Sequence, residues 1–561
     1  MKVSKKQSSK EYPMYKQIIP YLMSIYMILT LLIRGMDNKT LILNITSIVM
    51  FFWFIGERIF PDNVYKESRM PISKWLYILT GIFLLVSIIS QLFSKDYSYI
   101  GLIGESESLT NIFCYVLLFY MACRYGYEVN NQKIIKLAII ILSVMTVVMS
   151  LIEFFDIPLA ILWVGNRQSL EDKNRVILSF GNSNYYGVFC CMLLSFITKL
   201  WIATKDKFDK IVFIVLNTIL ICCVFMSKST MSFFLMIFVV IGTLLYESKF
   251  IFCQWKYMLI FVVMLFVEII ILNICSNGAF LELVNIGMTN EDAFIEERDE
   301  RYVIKDIILD GNCIVIEGED SEFIIEYDNQ FVFYDESKNI LDIKSEDNII
   351  RFIDEPYSQI EVEISYNKTQ NMLLLEVDAG YKESIDFYIE KGMFKGVGAD
   401  GKPVDDISGK YTESKVNNLF TGRGYIWINT VSMIDEVIFI GKGFGNYVNV
   451  FKQYDYVGLL KSQGSTNIII DRPHNMFLQY CIDIGLIGAV AIFSMILFIL
   501  ISWFKQNVKY GRDERILSSS TFFSLIIFLV FAMLNDSLVI LSPYMWIFLG
   551  LNMAMQYSRN K

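Results

Sequence analysis

The sequence predicts an all-α polytopic membrane protein of about 12 transmembrane helices, interrupted by a large extracytoplasmic loop that contains a β-rich, sandwich-like insert. Three observations predict it. Of 561 residues, 54% are hydrophobic and the mean hydropathy is +0.46, well above a soluble domain. The apolar residues fall into long runs, each near the ~20 residues that cross a bilayer. One segment, from about 277 to 473, has a different texture, acidic and alternating.

The runs lie at roughly 17–33, 41–55, 75–93, 109–123, 134–155, 185–203, 211–226, 230–246, 257–275, 481–503, 518–534 and 538–556. The second and fourth are short for a span. Lys2, Lys5, Lys6, Lys10 and Lys16 precede the first run, and no small-residue cleavage site follows it. That pattern predicts an uncleaved signal anchor. With the N-terminus in the cytoplasm, the inside segments carry 24 Lys and Arg and the short outside loops 7. The asymmetry predicts a plasma-membrane protein with both termini cytoplasmic and the long loop extracytoplasmic. The expected parts are a membrane domain of about nine helices over 1–276, the extracytoplasmic segment 277–473, and about three helices over 474–561.

The segment 276–473 holds 37 Asp and Glu against 18 Lys and Arg, so the acidity of the chain belongs to it. An acidic exterior argues against nucleic acid as a partner. Over 301–395 apolar and polar residues alternate, as in Glu322-Phe-Ile-Ile-Glu-Tyr327 and Gln359-Ile-Glu-Val-Glu-Ile-Ser365, between Asp, Asn, Gly and Ser turns. Seven or so strands are expected, enough for a small sandwich. Such modules serve as spacers, or bind sugars or proteins, and no ligand is identified by the residues. Over 416–473 an amphipathic stretch runs from Arg423 to Val437. Gly441-Lys-Gly-Phe-Gly445 follows. Its glycine spacing is not that of a dinucleotide site, and it reads as a tight turn.

Ten cysteines and one histidine bound the metal chemistry. Cys114, Cys190, Cys191, Cys222 and Cys223 lie in apolar runs, and only Cys313 is well inside the exterior segment, so no internal disulfide is expected there. No Cys-x-x-Cys occurs, and one histidine forbids a multi-His zinc site. No cofactor and no catalytic metal are expected. A weak calcium site built from loop carboxylates stays open.

The histidine, His474, sits in Arg472-Pro-His-Asn475, where the exterior segment meets an apolar run. Histidine is the side chain whose ordinary pKa suits proton transfer near neutral pH. The predicted topology brings other polar clusters to the same face: Gly181-Asn-Ser-Asn184, Ser227-Lys228-Ser229, Glu105-Ser-Glu107, Asn535-Asp536-Ser537 and Arg423. Each alone reads as a cap or turn, and Asn-Ser-Asn before a helix is a good N-cap. Lys228, in a very short outside turn, runs against the positive-inside trend. No nucleotide donor exists outside the cell, so an energy-rich donor there arrives attached to a lipid. Polyprenyl-diphosphate sugars fit: Arg and Lys stabilise the diphosphate leaving group, and a base near neutral pH activates an acceptor hydroxyl.

These residues resemble the O-antigen ligase/polymerase family of bacterial integral membrane glycosyltransferases, over roughly 75–290 and 416–556. The strongest element is Arg472-Pro-His-Asn-Met-Phe-Leu-Gln-Tyr-Cys-Ile-Asp-Ile-Gly485-Leu-Ile-Gly488. Gly422-Arg-Gly424 with Trp427, Gly441–Gly445, Phe180–Asn184, Ser227-Lys228 and Asp536-Ser537 match weaker elements. The resemblance implies about twelve helices and metal-independent, inverting transfer of a glycan from a polyprenyl-diphosphate donor to a glycan, wall or lipid acceptor. His474 would be the base. Arg423, Lys228 and Arg472 would hold the diphosphate, and Asn475, Asn184, Glu107 and Asp536 would support them. Three departures stand out. Lys228 replaces a common arginine. Glu105-Ser-Glu107 lacks the neighbouring arginine and glycine. The β-rich insert is absent from most relatives. Two rival readings are a polysaccharide transporter or flippase and a membrane-anchored glycan-binding scaffold. Few midhelix charges, Glu268 the clearest, and no internal repeat support a transporter.

Overall fold

The structure, a computed structural model, describes residues 14–60, 73–94, 107–165, 175–246, 255–281, 301–319, 321–346, 348–381, 383–398, 401–407, 409, 416–417, 419–507 and 516–558. Lys2, Lys5, Lys6, Lys10, Glu105 and Ser106 lie outside the described residues. The chain divides into two compact units. One comprises Met1–Asn290, Val437–Gly445 and Asn475–Lys561, and the other Glu291–Glu436 and Asn446–His474.

The first unit is helical. Its long helices are α1 (Ile18–Leu32), α2 (Met36–Ile59), α3 (Lys74–Leu92), α4 (Leu109–Tyr125), α5 (Val129–Phe154), α6 (Ser183–Ala203), α7 (Lys207–Met226), α8 (Thr230–Tyr246) and α9 (Trp255–Cys275). Each of the first nine apolar runs falls on one of them. Eight helices among the described residues are long and apolar enough to cross a membrane; the apolar helices Leu109–Tyr125, Thr230–Thr243 and Leu517–Ala532 are shorter. The second run is longer than its apolar stretch suggested. Polar ends, with Asp37 in the first turn and Arg58 in the last, remain helical and complement the helix dipole, so α2 reaches 24 residues.

Small residues and hydroxyls knit the helices. Ser195 and Ser524 share a hydrogen bond of 2.6 Å, and Ser150 and the Tyr186 hydroxyl one of 2.6 Å. A Cβ on Gly550 would strike the Phe119 carbonyl, so glycine there lets the last helix lie close against α4.

The second unit holds two antiparallel sheets. β1 (Ile304–Asp310), β2 (Cys313–Gly318), β3 (Glu322–Tyr327) and β4 (Phe331–Tyr334) form a four-stranded meander. β5 (Ile343–Glu346), β6 (Ile349–Phe352), β7 (Glu361–Asn367), β8 (Met372–Asp378), β9 (Ile385–Glu390), β10 (Met393–Val397) and β11 (Pro403–Val404) form a seven-stranded one. Eleven strands exceed the seven or so expected. The extra ones are short, and β5 is an exposed edge of Ile-Lys-Ser-Glu with no apolar alternation to read. The inner faces share one core, with Ile314, Ile316 and Phe323 from one sheet and Val362, Leu375 and Phe387 from the other.

That core extends beyond the strands. The unit also contains α10 (Leu419–Ser432) and α11 (Tyr456–Gln463), and Tyr456, Val457 and Leu460 of α11 are members of the core. The Tyr456 hydroxyl accepts the Val397 N–H at 2.6 Å and donates to the Val397 carbonyl at 2.9 Å. Apart from Val437–Gly445, which belong to the first unit, the sequence parts 301–395 and 416–473 are therefore one packed body.

The chain returns to the first unit in α12 (Met476–Asn507), α13 (Ile516–Ala532) and α14 (Ser542–Ser558). α12 is broken at Gly485, whose φ is 78°. The break bares carbonyls that a helix would have used. The Gly441–Gly445 turn supplies the missing donors: Lys442 N–H to Ile482 O at 2.7 Å and Gly443 N–H to Asp483 O at 2.9 Å. The turn is itself held by Ser90 and Gln91 of α3, which accept from Gly441 and Phe444 at 2.8 and 2.9 Å. A Cβ on Gly485 would sit 2.9 Å from the Val437 carbonyl, so glycine serves both the left-handed φ and the close approach. Broken helix at membrane depth is tolerated where protein satisfies its backbone.

Candidate active site

The residues singled out in the sequence fall into two groups, one in each unit. In the second unit the Gly422-Arg423-Gly424 element opens α10. Both glycines are demanded by space. A Cβ on Gly422 would strike the Ser462 carbonyl at the end of α11, and one on Gly424 would strike the Val416 carbonyl. Gly422 also has φ 80°. Arg423 is thus held half-buried between two points of backbone contact. The Tyr425 hydroxyl donates to Asp455 Oδ2 at 2.8 Å, and Asp455 Oδ1 accepts the Gly458 N–H at 2.9 Å, which fastens α10 to the start of α11.

Trp427 lies one helical turn after Arg423, on the same face. Its indole N–H donates to the Pro473 carbonyl at 2.9 Å, and its ring meets that of Phe420 at 5.5 Å. This bond joins the arginine element to the histidine element. Pro473 is buried, and His474 follows it half-buried with φ 51°. A left-handed conformation is uncommon for a residue with a Cβ, and Asx and His are the types that tolerate it best. Arg472 Nε pairs with the neighbouring Asp471 carboxylate at 3.3 Å.

The chain crosses to the first unit at the His474–Asn475 bond. Asn475 is the N-cap of α12: its Oδ1 accepts the N–H groups of Phe477 and Leu478 at 2.9 and 3.1 Å. Its Nδ2 donates to the Met533 carbonyl at 2.8 Å, and the Met476 N–H donates to the Asn535 carbonyl at 3.0 Å. The start of α12 is therefore fixed against the turn that carries Asp536.

Glu107 is buried at the head of α4 and gathers three hydroxyls. Its Oε2 accepts from Tyr115 at 3.1 Å, and its Oε1 accepts from Ser537 at 2.8 Å and from Tyr480 at 3.5 Å. Asp536 is buried beside this cluster, its backbone carbonyl accepting from the Tyr185 hydroxyl at 2.9 Å. Tyr185 leads to Asn184. The cap of α6 is Asn182, whose side chain accepts the Asn184 N–H at 2.8 Å. Asn184 instead accepts from Ser229 at 2.7 Å through its Oδ1. Lys228 precedes Ser229 in a tight turn with φ 50°. Gly187 makes this approach possible, since a Cβ there would strike the Ser232 hydroxyl. Asn184, Lys228, Asp536, Glu107 and Asn475 thus converge at one end of the helices of their unit.

Sequence reading missed several partners. The bond from Trp427 to Pro473 leaves no signal in the sequence, because nothing there pairs residues 427 and 473. Tyr115, Tyr480 and Ser229 looked like ordinary helix or turn residues. Gly187, one turn after Asn184, was a legible sign of close helix contact. Among the described residues, no three His, Cys, Asp or Glu side chains gather as a metal site would need.

Residues 385–493 match the family described as O-Antigen ligase. The match opens in β9, runs through α10 and α11, and ends inside α12, so it contains Arg423, Trp427, Arg472, His474 and Asn475. No curated protein matches the chain. Over residues 416–493 the expected resemblance to the O-antigen ligase/polymerase family is borne out, in a chain with several helices long and apolar enough to cross a membrane; the match begins earlier, at 385, inside the end of the stretch expected to be an insert.

Proposed function

We propose that the chain is an extracytoplasmic glycosyltransferase of about twelve spans, with both termini cytoplasmic, that moves a glycan from a polyprenyl-diphosphate donor to a sugar hydroxyl. The acceptor oxygen attacks the anomeric carbon and the bond to the diphosphate breaks. The acceptor proton passes to His474. The departing diphosphate keeps the electron pair and is stabilised by Arg423, Lys228 and Arg472. Asn475, Asn184, Glu107 and Asp536 hold the elements that carry these groups. The product is a surface, wall or capsular glycan.

The observation that carries this reading is the hydrogen bond from Trp427 to Pro473. It ties the helix bearing Arg423 to the residue before the chain's one histidine. A base and a fixed cation on one rigid body are what transfer from a diphosphate requires.

The test compares cells carrying the wild type or His474→Ala, measuring the size of lipid-linked and surface-attached glycan. Long lipid-linked chains accumulating in the variant mark a ligase. Single repeat units accumulating mark a polymerase. Unchanged pools in a variant that inserts normally would sink the base role and favour a scaffold or transporter. Arg423→Lys, which keeps the charge and loses the bidentate fork, is expected to lower transfer as well.

A further inference from the structure

Arg175 lies in the stretch that leads into α6, outside every motif used above and outside the matched residues 385–493. Backbone bonds fix its place. The next residue, Val176, donates its N–H to the Met226 carbonyl at 2.9 Å, at the C-terminal end of α7. Ile177 and Leu178 donate theirs to the two carboxylate oxygens of Glu153 at 2.8 and 3.0 Å. Glu153 is fully buried near the end of α5. The stretch is therefore clamped on both sides and not a loose loop.

Met226 is followed by Ser227 and Lys228. Arg175 thus stands one residue from a hydrogen bond whose other side stands two residues from Lys228. Asn184 adjoins the same turn through Ser229. Because Ser229 holds Asn184 Oδ1, the Nδ2 donors point away from that bond and have no protein partner among the described residues. The backbone segments that carry a guanidinium, an ammonium and a carboxamide N–H pair are brought together here, and all three groups are donors.

We infer that Arg175 joins Lys228 and Asn184 in one binding site for the diphosphate of the lipid-linked donor, and that Arg175 supplies the bidentate fork that a lysine at 228 lacks. The chemistry is that of planar recognition: two parallel N–H bonds from one guanidinium to phosphate oxygens, with the ammonium as a point charge beside them. The inference rests on the function proposed above and adds to it a group that binds the leaving diphosphate.

The experiment uses the full chain in detergent and farnesyl diphosphate as probe, with farnesol as control, followed by intrinsic tryptophan fluorescence. Arg175→Gln is expected to weaken diphosphate binding by about tenfold or more, the loss of one charge-assisted contact, with the melting temperature near that of the wild type. Moving the fork, in Arg175→Lys combined with Lys228→Arg, is expected to recover most of the affinity lost in Arg175→Lys alone. A purely structural arginine would lower the melting temperature and would not be rescued by Lys228→Arg. Binding within about twofold of wild type in Arg175→Gln overturns the inference. Should that variant lose its melting transition, Arg175→Lys and its rescue decide in the same way. If the wild type binds farnesol and farnesyl diphosphate equally, the donor assignment itself falls. If Arg423→Gln loses diphosphate binding while the Arg175 variants keep it, only this inference falls.

Discussion

Trp427→Phe isolates the bond that holds the two halves of the second unit's site together. Phenylalanine keeps an aromatic ring against Phe420, now 5.5 Å away, and removes only the indole N–H. Pro473 is buried, so its carbonyl loses this donor with little water to replace it. A buried acceptor left without its partner costs about 1–3 kcal/mol. Were all of that to fall on the placement of His474 in the transition state, kcat would drop about 5- to 150-fold, at tenfold for each 1.4 kcal/mol. Arg423 stays on its helix between Gly422 and Gly424, so the donor KM is expected to remain near wild type. The assay is the initial rate of glycan transfer by the full chain in detergent, across donor concentrations. A folded variant with wild-type kcat would refute the idea that the Trp427 bond positions the histidine. A rise in KM alone would move the role of Trp427 from the base to the donor.

Other consequences follow from the same geometry. Gly485→Ala places a Cβ at φ 78° and 2.9 Å from the Val437 carbonyl, and should cost at least about 1–2 kcal/mol, read as a lower melting temperature; an unchanged transition would mean the break in α12 needs no glycine. Tyr456→Phe leaves the Val397 N–H without its acceptor and should destabilise the second unit by about 1–3 kcal/mol, seen as faster proteolysis of that unit with transfer lost in step. Retained activity after deletion of 301–395 would contradict the shared core, because that deletion removes most of the residues on which α11 packs. Burial, opposed by hydrogen bonds from Ser384 and Asn467, raises the Asp386 carboxyl above its ordinary value, and burial with Asp386 and Glu363 nearby raises Glu376. A carboxyl raised on folding stabilises fully below its unfolded pKa, about 4, and that contribution is lost as pH rises through the folded value. The second unit should therefore melt higher in mildly acidic buffer than at neutral pH, and Asp386→Asn should flatten that slope; a slope unchanged in Asp386→Asn would assign it elsewhere.

Much of this was legible in residues alone. Hydropathy located the helices because a bilayer-crossing helix must be apolar for about 20 residues. Alternation located the longer strands, since one face of each meets a core. The Gly422-Arg-Gly424 and Arg472-Pro-His-Asn475 elements stood out because glycine, proline and a lone histidine are costly to keep without reason. What escaped were features with no periodicity: the edge strand β5, the break in α12, and the ends of α2.

By itself the sequence determined the division into apolar helices and an acidic, strand-forming segment, because these depend on local composition and period. It also named the charged and imidazole groups available for chemistry. Only the tertiary structure decided that α11 belongs to the core of the β-sheets, that the Gly441–Gly445 turn caps the broken α12, and that Trp427 reaches Pro473. It alone decided that Asn182 caps α6 while Asn184 turns to Ser229, and that Val176 bonds to the last residue of α7. The reason is physical. Such contacts join residues tens or hundreds of positions apart, and their donors and acceptors acquire direction only when packing has fixed the backbones that carry them.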